Sequence, residues 1–226
     1  MTSRSPQVMS FDVTGTLAEI TGPSHTQRLV ALSPLPAQDV RRILHDVTGL
    51  KTLPSRDALT PALVRRTCAA LQIDVADFGF GSVPLVPYRL LPGARNAVTA
   101  AAHHGQVVAI TNTSVFADDC LEALRDEFTP HLTDIHPSLR LGVAKPDPRI
   151  FHAVASRYGV DAQDLVHVGD RWDEDIAPVL ALGGHAVWIT TDDHVASACG
   201  HPGSDRLLIV RTLEDVAAAM TRRWWA

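Results

Sequence analysis

Cysteine is scarce: Cys68, Cys120 and Cys199 are odd in number and never form a C-x-x-C pair. That excludes a disulfide framework and a zinc ribbon, and it makes the reducing cytoplasm the expected compartment. Long apolar runs are missing too; no window approaches the roughly 18 uninterrupted apolar residues of a membrane span, and the polar start from Met1 to Gln7 has no export signal's apolar run. The expectation is an unexported, unanchored chain with no membrane partner. Basic blocks are absent beyond pairs such as Arg41-Arg42 and Arg65-Arg66, and the net charge is −5, so nucleic acid is not an expected partner. Lysine is the rarest charged residue, with 2 Lys against 18 Arg, so a lysine at a particular place points to a particular need. What is present is ordinary: 226 residues, 46% apolar and 20% charged, enough for one domain with an insertion, or two lobes sharing a core.

Along the chain, Val8 to Phe11 is a short apolar run that stops at Asp12-Val13-Thr14-Gly15-Thr16-Leu17, which predicts a buried strand opening into a polar loop. From Ala18 to about Tyr88 the pattern becomes helical, with amphipathic segments at 27–32, 37–47 and 60–71 and no strand. After Leu91-Pro92-Gly93 the alternation resumes: helix 94–103, strand 107–110, helix 116–127, a loop to Lys145-Pro146, helix 149–158 and strand 165–168. A helix to Leu182, strand 186–189 and a last strand–helix pair over 207–220 complete it. Strands alternating with helices predict an α/β fold: a Rossmann-like parallel sheet flanked by helices, with a helical insertion after the first strand. The predicted division is 1–17 and 89–226 for the catalytic core and 18–88 for the insertion.

In such a sheet, ligands bind where strands end at the switch point. Three predicted strands end in polar residues, at Asp12, Thr111 and Asp170, and Lys145 opens a helix between the latter two. Together they supply a nucleophilic carboxylate, a hydroxyl, a cation and a second carboxylate able to hold a divalent metal. Phosphoryl transfer asks for these types: Mg²⁺ on carboxylates and a lysine neutralise the equatorial oxygens, and an aspartate can attack in line to form an acyl phosphate.

These strings resemble the four motifs of the haloacid dehalogenase-like hydrolase superfamily over nearly the whole chain. Asp12-Val13-Thr14-Gly15-Thr16-Leu17 looks like the first, Ala109-Ile110-Thr111-Asn112 the second, and Gly142-Val143-Ala144-Lys145-Pro146-Asp147-Pro148 the third. Val168-Gly169-Asp170-Arg171-Trp172-Asp173-Glu174-Asp175-Ile176 looks like the fourth. The insertion resembles a helical cap of the C1 type. The resemblance implies Asp12 as nucleophile and metal ligand, with Thr111, Asn112 and Lys145 holding the phosphoryl group. It also implies Asp170 and Asp175 as Mg²⁺ ligands, the latter direct or through water, with the Thr14 carbonyl completing the shell. The expected activity is Mg²⁺-dependent hydrolysis of a small phosphorylated metabolite by a monomer or homodimer.

One position departs from the family. Its phosphatases carry a second aspartate two residues after the nucleophile, as acid and base; here that place is Thr14. A positioned acid/base contributes about 10²–10⁴-fold, so slow turnover is expected unless Glu19, His25 or another group of the insertion substitutes. P-type ion pumps of the same superfamily also have Thr there, and their phosphoaspartate persists. Two alternatives stand beside the phosphatase: a phosphonoacetaldehyde-hydrolase-like C–P cleavage with Lys51 as Schiff base, and a non-catalytic scaffold binding a phosphometabolite or a protein. His194, Cys199 and His201 lack the spacing of a metal site, Asp173 and Glu174 read as a solvated helix face, and Trp224-Trp225 reads as a docking or partner surface.

Overall fold

The buried run Val8–Phe11 forms β1, the centre of a six-stranded sheet. A computed structural model describes residues 8–48, 60–79, 87–113, 118–192 and 205–224. The other strands of this sheet are β4 (Gln106–Thr111), β5 (Leu132–Pro137), β6 (Leu165–Gly169), β7 (His185–Ile189) and β8 (Leu207–Val210). Their order is β5-β4-β1-β6-β7-β8, all parallel. The chain adds β4 and β5 on one side of β1 and then crosses to add β6, β7 and β8 on the other. The carboxyl end of β1 is therefore the switch point, where the two halves diverge and leave a crevice.

Strand periodicity sends alternate residues to opposite faces. Met9 and Phe11 pack on one face with Val98 of α4 (Ala94–Ala102), Leu124 of α5 (Asp118–Asp126) and Val216 of α9 (Glu214–Trp224). Val8 packs on the other with Phe151 of α7 (Arg149–Arg157) and Val179 of α8 (Ala177–Ala181). A parallel sheet covered on both faces is what the near-continuous apolar strands require.

The helical insertion has its own core. Leu29 of α1 (His25–Leu32), Val40 and Leu44 of α2 (Ala37–Thr48), and Val64, Cys68 and Leu71 of α3 (Pro61–Leu71) pack with Phe78. Ser24 and Gln27 form a reciprocal capping box that starts α1 at His25, two residues earlier than its apolar pattern indicates. Thr60 caps α3, with Pro61 in its first turn. Cys68 and Cys120 are buried and form no disulfide, and none of the described helices is long and apolar enough to cross a membrane.

Two features differ from the sequence reading. The stretch read as helical from Ala18 to about Tyr88 is bounded by strands: β2 (Ala18–Ile20) pairs antiparallel with β3 (Tyr88–Leu90), and Glu19 and Arg89 form an ion pair across this ribbon. Three residues are too few to display an alternating pattern. The loop expected before Lys145 contains β5 and the short α6 (Ser138–Leu141). Leu-Thr-Asp-Ile-His-Pro mixes polar and apolar residues and ends in proline, which only a sheet edge tolerates.

Candidate active site

Asp12 is the first residue past β1, its backbone N–H donating to the Val168 carbonyl of β6 at 2.8 Å and its side chain nearly buried. Thr111 ends β4 beside it and is buried. Lys145 comes from the loop before α7, and Asn112 fixes it there. The Lys145 N–H donates to Asn112 Oδ1 at 2.8 Å, and Asn112 Nδ2 donates to the Lys145 carbonyl at 2.7 Å. With its main chain locked, the buried ammonium reaches both Asp12 Oδ1 and Asp175 Oδ1 at 2.5 Å.

Asp170 follows β6, and the next turn, Trp172–Ile176, is π-helical: both the Asp175 and Ile176 N–H groups donate to the Arg171 carbonyl, at 2.9 and 3.3 Å. This wider turn brings Asp175 back over the strand end, where its Oδ2 accepts the Arg171 N–H at 3.0 Å. Only glycine fits beneath it, since a Cβ at Gly169 would lie 2.4 Å from Asp175 Cβ. Gly169→Ala is expected to displace the turn, destabilising the protein by about 1–3 kcal/mol in urea unfolding; unchanged stability would refute the steric argument. Gly15 is held at φ +94° with Asp170 in the space a side chain would take, and Thr16 Oγ1 donates to Asp170 Oδ1 at 3.3 Å.

Burial pushes the Asp12 carboxyl up to about 7, against the pull of Lys145. Burial acts the same way on Asp175, but His167 and Lys145 outweigh it and hold that carboxyl well below the usual range. Asp170 is raised, by burial and by the Asp175 charge. Burial opposes the charge of Lys145, yet the two carboxylates prevail and raise it. Asp12, Asp170 and Asp175 each offer an oxygen, all within 4.8 Å of one another. An all-carboxylate set without sulfur or imidazole fits a hard cation such as Mg²⁺.

A cavity of about 460 Å³ opens over this cluster. Asp12, Thr14, Thr111, Asn112, Lys145 and Asp175 line its core side; Glu19, Ile20 and Tyr88 of the ribbon and Ser24, His25 and Thr26 of the insertion line the other. Thr14 is exposed at its edge. His25 is buried, edge-on to Phe78 at 4.8 Å, and burial with the nearby Arg28 lowers its pKa to about 4. Between that value and the 6.5 of the unfolded chain, the unfolded state alone binds the proton, so acidification lowers stability across that range. His25→Leu is expected to flatten this slope in urea titrations at stepped pH; an unchanged slope would refute it.

The structure thus gathers Asp12, Thr111, Lys145, Asp170 and Asp175 at one end of the sheet, with Asn112 beneath Lys145. Lys51, His194, Cys199, His201 and Trp225 lie outside the described residues. Arg41, Arg42, Arg65 and Arg66 are exposed on the insertion. Glu174, read as a solvated helix face, lines the cavity, accepts from Asn112 Nδ2 at 3.1 Å and pairs with Arg171. Ser10 and His167, buried beneath the cluster, carried no sequence signal at all, being single polar residues inside apolar strands.

The sequence profile described as haloacid dehalogenase-like hydrolase matches residues 6–183. A phosphoserine phosphatase of Thermus thermophilus is 26% identical over 102 residues, 45% of this chain and 41% of that protein. A glyceraldehyde 3-phosphate phosphatase of Pyrococcus abyssi is 31% identical over 100 residues, 44% and 42% of the two chains. The matches thus span about two fifths of these relatives' length. Among solved structures, a 2-haloacid dehalogenase from Pseudomonas syringae pv. Tomato superposes with a TM-score of 0.67 at 22% identity, over 97% of this chain and 99% of that one. A phosphatase from Thermococcus onnurineus superposes at 0.59 and 17% identity, over 96% and 99%. At these identities the superpositions establish the fold.

Proposed function

The chain belongs to the haloacid dehalogenase-like hydrolases, and on that footing we propose that it is a Mg²⁺-dependent phosphatase of a small phosphorylated metabolite, with Asp12 as nucleophile. The observation that carries this reading is the placement of Asp12 at the switch point, 2.5 Å from a buried lysine and within a three-carboxylate cluster.

Asp12, Asp170, Asp175 and the Thr14 carbonyl are the residues that would hold the metal. When bound, Mg²⁺ supplies charge neutralisation between the anionic ester and the aspartate that attacks it. Lys145 and the Thr111 hydroxyl bind the phosphoryl oxygens. Asp12 attacks phosphorus, the bond to the ester oxygen breaks, and that oxygen leaves as an alkoxide that takes its proton from solvent water on release. Water then cleaves the acyl phosphate, regenerating Asp12 and releasing inorganic phosphate. Asn112 lies with Thr111 and Lys145 on the phosphoryl side of the cavity, and its side chain, with both amide atoms bonded to the lysine's main chain, holds Lys145 in place.

The hydroxyl of Thr14 does not exchange protons as a carboxylic acid does, so unless Glu19 or His25 on the cavity wall takes that part, both steps lack a contribution of about 10²–10⁴-fold and turnover is slow. We assign residues 18–88 as a C1-type cap and residues 1–17 and 89–226 as the core. Ser24, His25 and Thr26 then form the lid side of the cavity, and closure excludes water from the first step. The relatives acting on phosphoserine and glyceraldehyde 3-phosphate support three-carbon phosphates as the first compounds to try, a size the cavity accommodates. The test is phosphate release from such a panel with and without Mg²⁺. Mg²⁺-dependent release supports the reading, and no release from any monoester overturns it.

A further inference from the structure

Beneath Asp175 the structure holds a polar pair that the scheme above does not use. Ser10 and His167 are register partners on β1 and β6, both fully buried on the face that also carries Val8 and Leu165. Ser10 Oγ lies 2.8 Å from His167 Nδ1, and His167 Nε2 lies 3.4 Å from Asp175 Oδ1, the oxygen that also accepts from Lys145 Nζ. Phe151 packs edge-on against the imidazole, with centroids 4.9 Å apart, and fixes the plane of the ring.

A count of protons decides what this chain does. Ser10 has one hydroxyl proton and two acceptors within reach, His167 Nδ1 and the Val166 carbonyl at 3.1 Å. If the proton goes to Nδ1, the neutral ring carries its own proton on Nε2, aimed at Asp175. If it goes to Val166, the ring proton sits on Nδ1 and the bare Nε2 lone pair faces a carboxylate oxygen. The second arrangement sets two electron-rich atoms against each other where little water screens them. The first strands nothing, because the Val166 carbonyl lies inside the β1–β6 ladder, among backbone donors.

We infer that His167 is a positioning residue: Ser10 donates to its Nδ1, the Nε2–H so defined holds Asp175, and Asp175 holds Lys145 against the nucleophile. The effect on rate rests on the phosphatase reading; the position of the ring proton does not.

Two measurements test it. Long-range ¹H–¹⁵N spectra of the imidazoles of the wild-type protein, with His167 assigned by through-bond correlation of its ring to its own backbone, are expected to show the Nε2–H tautomer; an Nδ1–H ring overturns the proposal. Kinetics with p-nitrophenyl phosphate and Mg²⁺ then compare two substitutions of similar bulk. The amide nitrogen of glutamine reaches the place of Nε2, whereas that of asparagine reaches only the place of Nδ1. His167→Gln is expected to keep kcat within about threefold of wild type, and His167→Asn to lower it about 10–100-fold, the range found when outer partners of site ligands are removed. Equal losses in both overturn the proposal, because a merely structural histidine would be missed alike in each. If the wild-type protein releases no phosphate, the phosphatase reading falls and the tautomer decides this one; the tautomer also decides if neither variant folds.

Discussion

Asp12→Asn is expected to lower Mg²⁺-dependent phosphate release by on the order of 10⁴-fold or more, the scale seen when a covalent nucleophile is removed. The amide is nearly isosteric but has no electron pair basic enough to attack phosphorus, so the acyl phosphate cannot form. Stability should not fall with activity. Burial already disfavours the Asp12 charge, as its carboxyl pushed up to about 7 shows, and Asn removes that charge while leaving Lys145 its contact with Asp175. Phosphate release and thermal unfolding measured on the same preparation separate the two effects. Turnover within tenfold of wild type would show that Asp12 is not the nucleophile. Retained unfolding temperature with lost turnover and no trapped phosphoaspartate is the expected result.

Lys145→Met is expected to damage both properties. In the folded protein this ammonium is the bonded partner of two buried carboxylates, and removing one member of a buried ion cluster destabilises by about 3–5 kcal/mol, because the remaining charges are left uncompensated. Mg²⁺ should restore part of that loss, since a divalent cation on the same carboxylates supplies the missing positive charge and binds only the folded state. Activity should stay depressed by about 10²–10³-fold even with the metal, because no donor then meets the phosphoryl oxygens from that side. Lys145→Arg is not expected to rescue it: a planar guanidinium does not fit where a compact ammonium is enclosed. Urea unfolding with and without Mg²⁺ checks the first half and phosphate release the second. A variant as stable as wild type without metal would refute the role given to this charge.

The residues gathered at the switch point were legible for a physical reason. Asp12, Thr111 and Asp170 each end an apolar run abruptly, and in a parallel sheet such ends meet at one edge. Lys145 stood out because the chain is so poor in lysine. Five of the six sheet strands were legible for the same cause, being short, apolar and bounded by turns. β5 was not, because an edge strand needs one buried face only and its polar residues broke the run. Glu174 was misread because helical spacing assumes 3.6 residues per turn, whereas the π-helical turn at Trp172–Ile176 rotates it toward the cavity. Ser10 and His167 are 157 positions apart, and their pairing is created by strand register alone. Local pattern carries no information about which two interior positions of two strands will face each other.

The β2–β3 ribbon joins the two ends of the helical insertion through three residue pairs and one surface ion pair. To the rest of the chain the insertion is therefore a closed loop with a fixed mouth. Closure entropy grows only with the logarithm of loop length, so doubling such a loop costs roughly 0.6 kcal/mol. Lengthening, trimming or exchanging the segment between Ile20 and Tyr88 leaves the sheet almost indifferent, provided the mouth is kept. The insertion can thus change in length while the sheet and the residues gathered at its switch point keep their geometry, and the ribbon is the boundary between the two.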